Sequence, residues 1–409
     1  MGRYAIGQEF AVKDEPGFNA LLARAHAAKI RPVCLCKTPP AEMYVAKLGE
    51  NFYIKRMPNT ASEHHFACES FDPPTELSGL GEVLGTAIKE DTEDGTTALR
   101  FDFSLSKAPG RKPPEKSDVP GASVKTNGSK LTLTSTLHYL WEQAQFNRWA
   151  PAMVSKRGWY VVRKFLLQAA QNKSVQGSDL STLLYIPENF QAEKKDEIAQ
   201  RRMAQFSKAS NSGATGTRKL MLVIGEVKAI ETSRYGFKLV LKHLPDCHFM
   251  MNDDMHRRLT KRFAVELAMR EAAEDTHLMC AGTFSVSPAG VVTLEDAALV
   301  AVNANWIPID SLYEKYLIDG MVAGGRRFTK GLRYNVAAER PVACVVATDT
   351  HPSPVAMYVV PPSASEAYEG VLNELIADSA FDSWIWRVAD PEMPKLPAKA
   401  PEQPRQGAQ

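Results

Sequence analysis

The sequence predicts an α+β protein of several domains, and three observations support this. The chain has 409 residues, whereas single hydrophobic cores rarely grow beyond about 250–300 residues. Two segments rich in Pro, Gly and Ser interrupt it, and the hydrophobic spacing changes from helical to strand-like after the second one. We therefore expect an N-terminal α+β module (1–106), a flexible basic linker (107–130), a helical domain (131–210), a β-barrel domain (218–310), an α/β domain (311–390) and a disordered tail (391–409).

The composition is that of an average globular protein. Hydrophobic residues make up 44% of the chain and charged residues 23%, which excludes a fibrous or wholly disordered protein. No apolar stretch reaches the ~18–20 residues of a membrane span, and the N-terminus lacks the apolar block of a signal peptide. We therefore expect a cytoplasmic protein without membrane contact. The net charge of +2 produces no global field for nucleic acid, so such binding must rest on local clusters.

The N-terminal module is predicted to contain a strand, a helix and a hairpin. Residues 4–12 alternate in polarity as in a strand, and Pro16 opens a segment with apolar residues at helical spacing. Residues 43–57, MYVAKLGENFYIKRM, form two alternating segments around Gly49, which is the pattern of a β-hairpin.

The predicted hairpin separates two pairs of soft metal ligands. Cys34 and Cys36 precede it, and His64 and Cys68 follow it. In a reducing cytoplasm, closely spaced cysteines indicate metal binding more than disulfide bonding. Four such ligands complete a tetrahedral Zn²⁺ site without an open position, so the pattern predicts a zinc-bearing module with a structural ion. His65 competes with His64, and the alternative interpretation is buried cysteines beside a surface histidine.

The middle of the chain is predicted to hold a helical and a barrel domain. The linker 107–130 has six basic and two acidic residues and too few apolar ones to fold alone. Helical spacing then recurs at 133–144, 155–171 and 192–208, which we interpret as a winged-helix-like domain. After a second flexible link at 210–217, the order is strand, strand, strand, helix, strand, strand. This is the order of an OB-like β-barrel, a frequent binder of oligonucleotides.

The C-terminal α/β domain resembles a degenerate restriction-endonuclease-like fold. Asp349 follows an apolar strand, where nucleases of that fold place a metal-binding aspartate. Such a site also needs a second carboxylate and a lysine on the next strand, but the sequence there is VAMYVV. A nuclease that uses Asp349 is therefore an alternative to a protein without catalytic activity. The tail from residue 391 has five prolines in nineteen residues and is expected to be disordered.

Local basic clusters are the candidate nucleic-acid contacts. Residues 155–173 contain no acid and are interleaved with aromatic residues, and the segment GRRFTKGLRY combines four basic with two aromatic side chains. Cations can hold phosphates and aromatic rings can stack on bases, whereas the alternative for each cluster is a solvated surface. The candidates are Lys156, Arg157, Arg163, Lys164, Arg326, Arg327, Phe328, Lys330, Arg333 and Tyr334.

Several segments of the chain form a recognisable set, among them CLCKTPPAEMYVAKLGENFYIKRMP, HFACESFDPP, LHYLWEQAQFNRW and RRFTKGLRYN. Together they resemble a bacterial family, the domain-of-unknown-function family 1173. The resemblance extends to about residue 390 and implies an accessory protein of plasmids and integrating elements. It also implies a Cys-x-Cys and His-x-x-x-Cys metal pattern, which selects His64 over His65.

The sequence as a whole predicts a zinc-containing, DNA-associated accessory protein of a mobile genetic element that is not an enzyme. The alternatives are the metal-dependent nuclease and a protein-interaction scaffold that binds mobile-element proteins.

Overall fold

The computed structural model describes residues 2–13, 15–107, 128–207 and 218–401 and has a mixed α+β architecture. No helix within these ranges is long and apolar enough to cross a membrane. Residues 108–127 of the predicted linker, the predicted flexible link at 210–217 and the end of the predicted tail, 402–409, lie outside the described residues.

A five-stranded antiparallel sheet with one helix against it forms the N-terminal region. Its elements are β1 (Arg3–Ile6), β2 (Glu9–Val12), α1 (Phe18–Ala27), β3 (Val33–Cys34), β4 (Ala41–Leu48) and β5 (Asn51–Arg56). The strand order is β2-β1-β3-β4-β5, so β5 is an edge strand. The predicted hairpin is confirmed as β4 and β5. It turns at Gly49, whose positive φ of 59° favours a residue without a Cβ.

Short strands and five helices follow. They are α2 (Leu80–Val83), β6 (Ile88–Glu90), β7 (Thr97–Leu99), β8 (Ser106–Lys107), α3 (Leu133–Gln143), β9 (Arg148–Trp149), α4 (Trp159–Ala169), β10 (Lys173–Val175), β11 (Ser178–Asp179), α5 (Leu180–Leu183), β12 (Leu184–Tyr185) and α6 (Lys195–Phe206). Helix α4 begins later than the predicted residue 155, because Ser155 has a φ of +59° and Gly158 is extended. One sheet has the order β11-β10-β7-β6, so strands from both sides of the predicted linker pair.

The third region contains a closed barrel. Its elements are β13 (Arg218–Lys219), β14 (Met221–Ser233), β15 (Gly236–Leu241), β16 (Phe249–Met251), α7 (Asp253–Arg262), α8 (Ala264–Ala272), β17 (His277–Val286), β18 (Val292–Val302) and β19 (Pro308–Ile309). The first strand, β13, pairs outside the barrel with β8. Strands β14, β15, β16, β18 and β17 pair in this order, and β14 also pairs with β17. The predicted five-strand barrel is thereby confirmed. Inward side chains such as Leu222, Phe249 and Leu299 are fully buried in it.

The barrel helix is divided in two, although a single helix is predicted. Phe263 has a φ of −109° and a ψ of 32°, and it separates α7 from α8. The start of α7 is capped by Asn252, whose Oδ1 accepts a hydrogen bond from the Met255 N–H at 2.8 Å. Acidic residues occupy the first turn of α7 and basic residues the last, which stabilises the helix through its macrodipole.

The C-terminal region is a second α/β sheet. Its elements are α9 (Leu312–Ala323), β20 (Phe328–Lys330), β21 (Val345–Ala347), β22 (Val355–Val360), α10 (Glu366–Ala377) and β23 (Asp382–Arg387). The strand order is β23-β22-β21-β20-β9, so β9 of the predicted helical domain completes this sheet. One buried apolar cluster also extends from Val83 to Tyr334. The predicted domain boundaries and the winged-helix-like and restriction-endonuclease-like folds stay predictions.

The last described segment, 391–401, lies against the C-terminal sheet, although disorder is expected for it. The Lys395 carbonyl accepts a hydrogen bond from Trp384 Nε1 at 2.9 Å, and the Ala400 N–H donates to the Asp349 carbonyl at 2.7 Å. Met393 and Leu396 pack on the apolar cluster of the sheet. A proline-rich segment can adopt this extended form because its carbonyls still accept hydrogen bonds from neighbouring groups.

Candidate metal centre and basic surfaces

The four predicted metal ligands meet at one end of the N-terminal sheet. Cys34 ends β3, and Cys36 lies in the turn that follows it. The 3₁₀ helix Ala61–Glu63 leads directly to His64, and Cys68 lies four residues further along the chain. One ligand atom from each of these residues lies within 4.8 Å of every other.

The spacing of these atoms matches a tetrahedral metal site. Cys34 Sγ and Cys68 Sγ are 3.7 Å apart, and His64 Nδ1 lies 3.4 Å from Cys36 Sγ and 3.8 Å from Cys68 Sγ. A tetrahedron with metal–sulfur bonds of ~2.3 Å has edges of about 3.8 Å. The cluster can therefore bind a metal ion with small adjustments of its side chains.

Main-chain donors surround the sulfur atoms. The N–H of His65 donates to Cys36 Sγ at 3.4 Å, and the N–H of Ser70 donates to Cys68 Sγ at 3.4 Å. A hydrogen bond from the Cys34 thiol lowers the pKa of Cys68 to about 3 and raises that of Cys34. These contacts stabilise a thiolate, which is the form of cysteine that binds metals.

The structure distinguishes the two neighbouring histidines. His64 is 3% exposed and directs Nδ1 at the sulfur atoms. His65 is exposed, stacks on the Phe66 ring, and accepts a hydrogen bond at Nδ1 from the Ala67 N–H. His64 is therefore the histidine that belongs to the cluster.

The predicted basic cluster at residues 156–164 divides into surface and interior positions. Lys156 and Lys164 are exposed. The Arg157 guanidinium instead donates to the carbonyls of Phe146 and Asn305 and lies over the Phe146 ring. Arg163 is half-buried, and its Nε donates to the Ile186 carbonyl at 3.1 Å. Arg157 is therefore corrected from a phosphate contact to a group that joins loops of the interior.

The second predicted cluster, 326–334, is mostly internal. Only Arg327 is exposed, whereas Phe328, Lys330 and Tyr334 are 2%, 1% and 4% exposed. The Tyr334 hydroxyl donates to Glu142 Oε2 at 2.7 Å. Because a buried ring cannot stack on a base, Phe328, Lys330 and Tyr334 are corrected from surface contacts to interior residues.

Lys330 and Arg333 of this segment are paired with acids. Lys330 Nζ lies 3.2 Å from Glu314 Oε2 and 3.4 Å from Asp310 Oδ2. Arg333 Nε lies 3.2 Å from the same Asp310 oxygen. Because Asp310 and Glu314 lie far from Lys330 along the chain, the strand pattern around Lys330 gave no sign of these pairs.

Asp349 is held by a guanidinium. Arg326 Nε donates to both of its carboxylate oxygens at 3.0 and 3.1 Å, and the Arg327 N–H donates to Oδ2 at 2.9 Å. Both side chains of the pair are less than a tenth exposed. This arrangement argues against Asp349 as a metal ligand, because its oxygens already accept hydrogen bonds from a cation.

Glu142 is a further ionisable group that the sequence did not single out. Burial and the nearby Asp72 carboxylate raise its pKa to about 7. Asp72 itself is bound by Arg56 and by Arg148, whose NH2 lies 2.5 Å from Asp72 Oδ1. The position of Glu142 within the helical segment LHYLWEQ gave no sign of this shifted pKa, since the acids and bases around Glu142 come from other elements.

Comparison with known proteins identifies one family. A family model described as a protein of unknown function (DUF1173) matches residues 4–389. No curated protein and no solved structure matches the chain.

Proposed function

The chain belongs to the DUF1173 family, and we propose that it is a DNA-binding protein that holds one structural zinc ion and performs no catalysis. The residues that carry the first part are Lys156, Tyr160, Lys164 and Phe165, here called the α4 face. The family resemblance also implies a role in a mobile genetic element, and this role stays a prediction.

The α4 face combines exposed cations with exposed rings, and Lys164 Nζ lies 5.8 Å from the centroid of the Phe165 ring. Tyr160 is 65% and Phe165 is 42% exposed, and Lys156 and Lys164 are exposed too. Neither lysine forms an ion pair with any residue in the described parts of the chain. Exposed large aromatic side chains beside unpaired cations are the observation that carries the proposal.

Two arginines of helix α7 differ in this respect. On α7, both Arg257 and Arg258 form ion pairs with Asp254, at 2.7 and 2.9 Å. Their charge is already neutralised locally, so they offer phosphate little additional attraction. Lys156 and Lys164, in contrast, form no ion pair among the described residues, and residues 155–173 contain no acid.

The local structure adds main-chain donors to the α4 face. Helix α4 starts after Gly158, which provides no side-chain cap. The first N–H groups of the helix therefore stay available beside Lys156 for an anion. Tyr160 and Lys164 are four residues apart in the helix and so project from the same side. The phosphates of a nucleic-acid strand would accept hydrogen bonds from these N–H groups and lysines while one of its bases stacks on the Tyr160 ring.

The zinc part of the proposal rests on the donor set. Three sulfur atoms and one imidazole nitrogen are the ligands of structural zinc sites, and four protein ligands leave no position for a substrate. The bound ion would fix the segment 61–70 against β3. Without the ion, no regular strand pairing joins this segment to β3. We therefore assign the ion a structural role.

A salt-dependence experiment tests DNA binding. Wild type and the double variant Lys156→Ala with Lys164→Ala are titrated against single-stranded and double-stranded DNA over about 50–200 mM salt. Losing two phosphate contacts should reduce the slope of log affinity against log salt by about 1.4–1.8 units. The matched control is Lys194→Ala with Lys195→Ala, which removes the same charge from exposed positions beside Asp196 and Glu197.

The ring contribution is measured separately with Tyr160→Ala. Stacking of one base is worth about 1–3 kcal/mol, so single-stranded affinity should fall while the salt slope stays constant. Equal binding by wild type and all α4-face variants would remove the proposal from this surface. Absence of binding at the lowest salt would favour the scaffold alternative, and Mg²⁺-dependent cleavage would favour the nuclease.

A further inference from the structure

A cavity of about 2040 Å³ lies between the N-terminal sheet, helix α3 and the C-terminal sheet. Every residue of the edge strand β5, from Asn51 to Arg56, lines it. Side chains of successive strand residues point to opposite faces. The cavity therefore reaches β5 from both faces, and the edge of this strand is open to it.

The hydrogen-bond register shows which main-chain groups of β5 point into the cavity. Phe52 pairs opposite Lys47, and its N–H donates to Asn19 Oδ1 at 2.9 Å instead of to β4. Main-chain groups alternate in direction along an antiparallel pair. The N–H and C=O groups of Ile54 and Arg56 therefore also point away from β4, and they have no partner among the described residues.

The side chains beside this edge indicate the chemistry of the occupant. Tyr53 is 44% exposed, and Lys55, on the same side of the strand, is half-buried without an ion pair in the described part of the chain. Burial lowers the pKa of Lys55, although the Glu90 carboxylate acts in the opposite direction, and a peptide carboxylate beside the ammonium group would offset the burial further. Seven basic and seven acidic side chains line the cavity, a balance that favours a peptide over a polyanion.

We infer that β5 accepts an extended peptide segment of a partner protein as a sixth strand, with a carboxylate of the peptide beside Lys55. Main-chain hydrogen bonds to Ile54 and Arg56 would hold the peptide, and pockets along the cavity would select its alternate side chains. Because the outward N–H of Phe52 is already bound by Asn19, the peptide can pair only along the C-terminal part of β5, from Tyr53 to Arg56. This site is separate from the α4 face.

The test begins with selection of binders from a random peptide library displayed on phage, with the full-length wild-type protein as bait. Selected peptides are synthesised, and their affinities are measured for wild type, Ile54→Pro and Ile54→Ala. Proline removes the outward N–H of an edge residue without breaking the β4–β5 pairing. Alanine removes the same apolar side chain but keeps the N–H. We expect at least about tenfold weaker binding, a loss of about 1.4 kcal/mol, for Ile54→Pro relative to Ile54→Ala.

A second measurement does not depend on folding of the proline variant. Each amide of the selected peptide is methylated in turn, and binding to wild type is measured. A peptide added to β5 donates only from alternate residues, so methylation should weaken binding at every second position. Failure to select any binder, uniform tolerance of methylation, or equal affinity of the two Ile54 variants would overturn the inference. Displacement of the peptide by single-stranded DNA would assign the cavity to nucleic acid instead.

Discussion

Arg326 and Asp349 form a buried, two-point ion pair at one end of the inner strands β20 and β21 of the C-terminal sheet. The Arg326 Nε and NH2 atoms lie 2.9–3.1 Å from the Asp349 oxygens, and NH1 of the same guanidinium donates to the Pro397 carbonyl. The pair therefore joins the start of β20, the end of β21 and the C-terminal segment 391–401.

Replacing Asp349 with alanine should lower the free energy of unfolding and should have no effect on DNA cleavage, which we expect to be absent from wild type as well. Removal of one partner leaves the Arg326 charge buried and unpaired, which costs about 3–5 kcal/mol. Urea denaturation measures the loss. The control is Arg340→Ala, whose exposed pair with Glu82 contributes about 0–1 kcal/mol. Unchanged stability together with loss of a Mg²⁺-dependent cleavage activity would instead support Asp349 as a metal ligand.

The purified protein should contain about one zinc ion per chain, because four ligands in one cluster form one site. Cys36→Ser should reduce this content and lower the melting temperature, as should a chelator, since binding of the ion contributes to the free energy of folding. Elemental analysis and thermal melting measure both effects. Cys247→Ser, at a half-buried cysteine outside the cluster, is the control. The site would be refuted if the purified wild type contained no metal and a chelator left its melting temperature unchanged.

Stability should depend on the protonation of Glu142. Its pKa is raised from 4.5 to about 7, so between these values the folded state holds a proton that the unfolded state has released. Stability is then fully present below about pH 4.5 and falls as the pH rises through about 7.

Glu142→Gln removes this dependence because glutamine stays neutral and still accepts the hydrogen bond from Tyr334. From pH 5 to pH 7, the unfolding free energy of wild type should therefore decrease relative to that of Glu142→Gln. Denaturant titrations at several pH values measure it. Glu193→Gln, at an exposed position, should show no such trend. A constant difference for Glu142→Gln would show that the carboxyl ionises normally.

Lys330→Met should lower stability and leave DNA binding unchanged. The variant leaves the Glu314 carboxylate, whose side chain is 7% exposed, without its nearest cation, at a cost of about 3–5 kcal/mol. The salt slope of DNA affinity should equal that of wild type, because Lys330 is 1% exposed. Lys261→Met, on the exposed side of α7, is the stability control. A reduced slope without loss of stability would place Lys330 against phosphate after all.

The sequence by itself determined the elements whose signals are local. Alternation of polarity predicted the five barrel strands and their order, and helical spacing predicted the helix between them, apart from its break at Phe263. The spacing of Cys34, Cys36, His64 and Cys68 around a hairpin identified the metal cluster. Both signals are readable along the chain because periodicity and short ligand pairs depend on neighbouring residues.

Only the tertiary structure decided which charged residues reach solvent. The sequence predicted Arg326 and Lys330 to be surface cations, because a strand pattern does not indicate that Asp349, Glu314 and the segment 391–401 pack against them. The Tyr334 ring is buried near α3, and the main-chain N–H of Tyr334 donates to His138 Nδ1 across 196 positions of sequence. Burial of a charge or ring depends on partners brought together by folding, and the hydrogen bonds and ion pairs they supply offset its desolvation. That is also why the open edge of β5 and its cavity could not be predicted from the sequence.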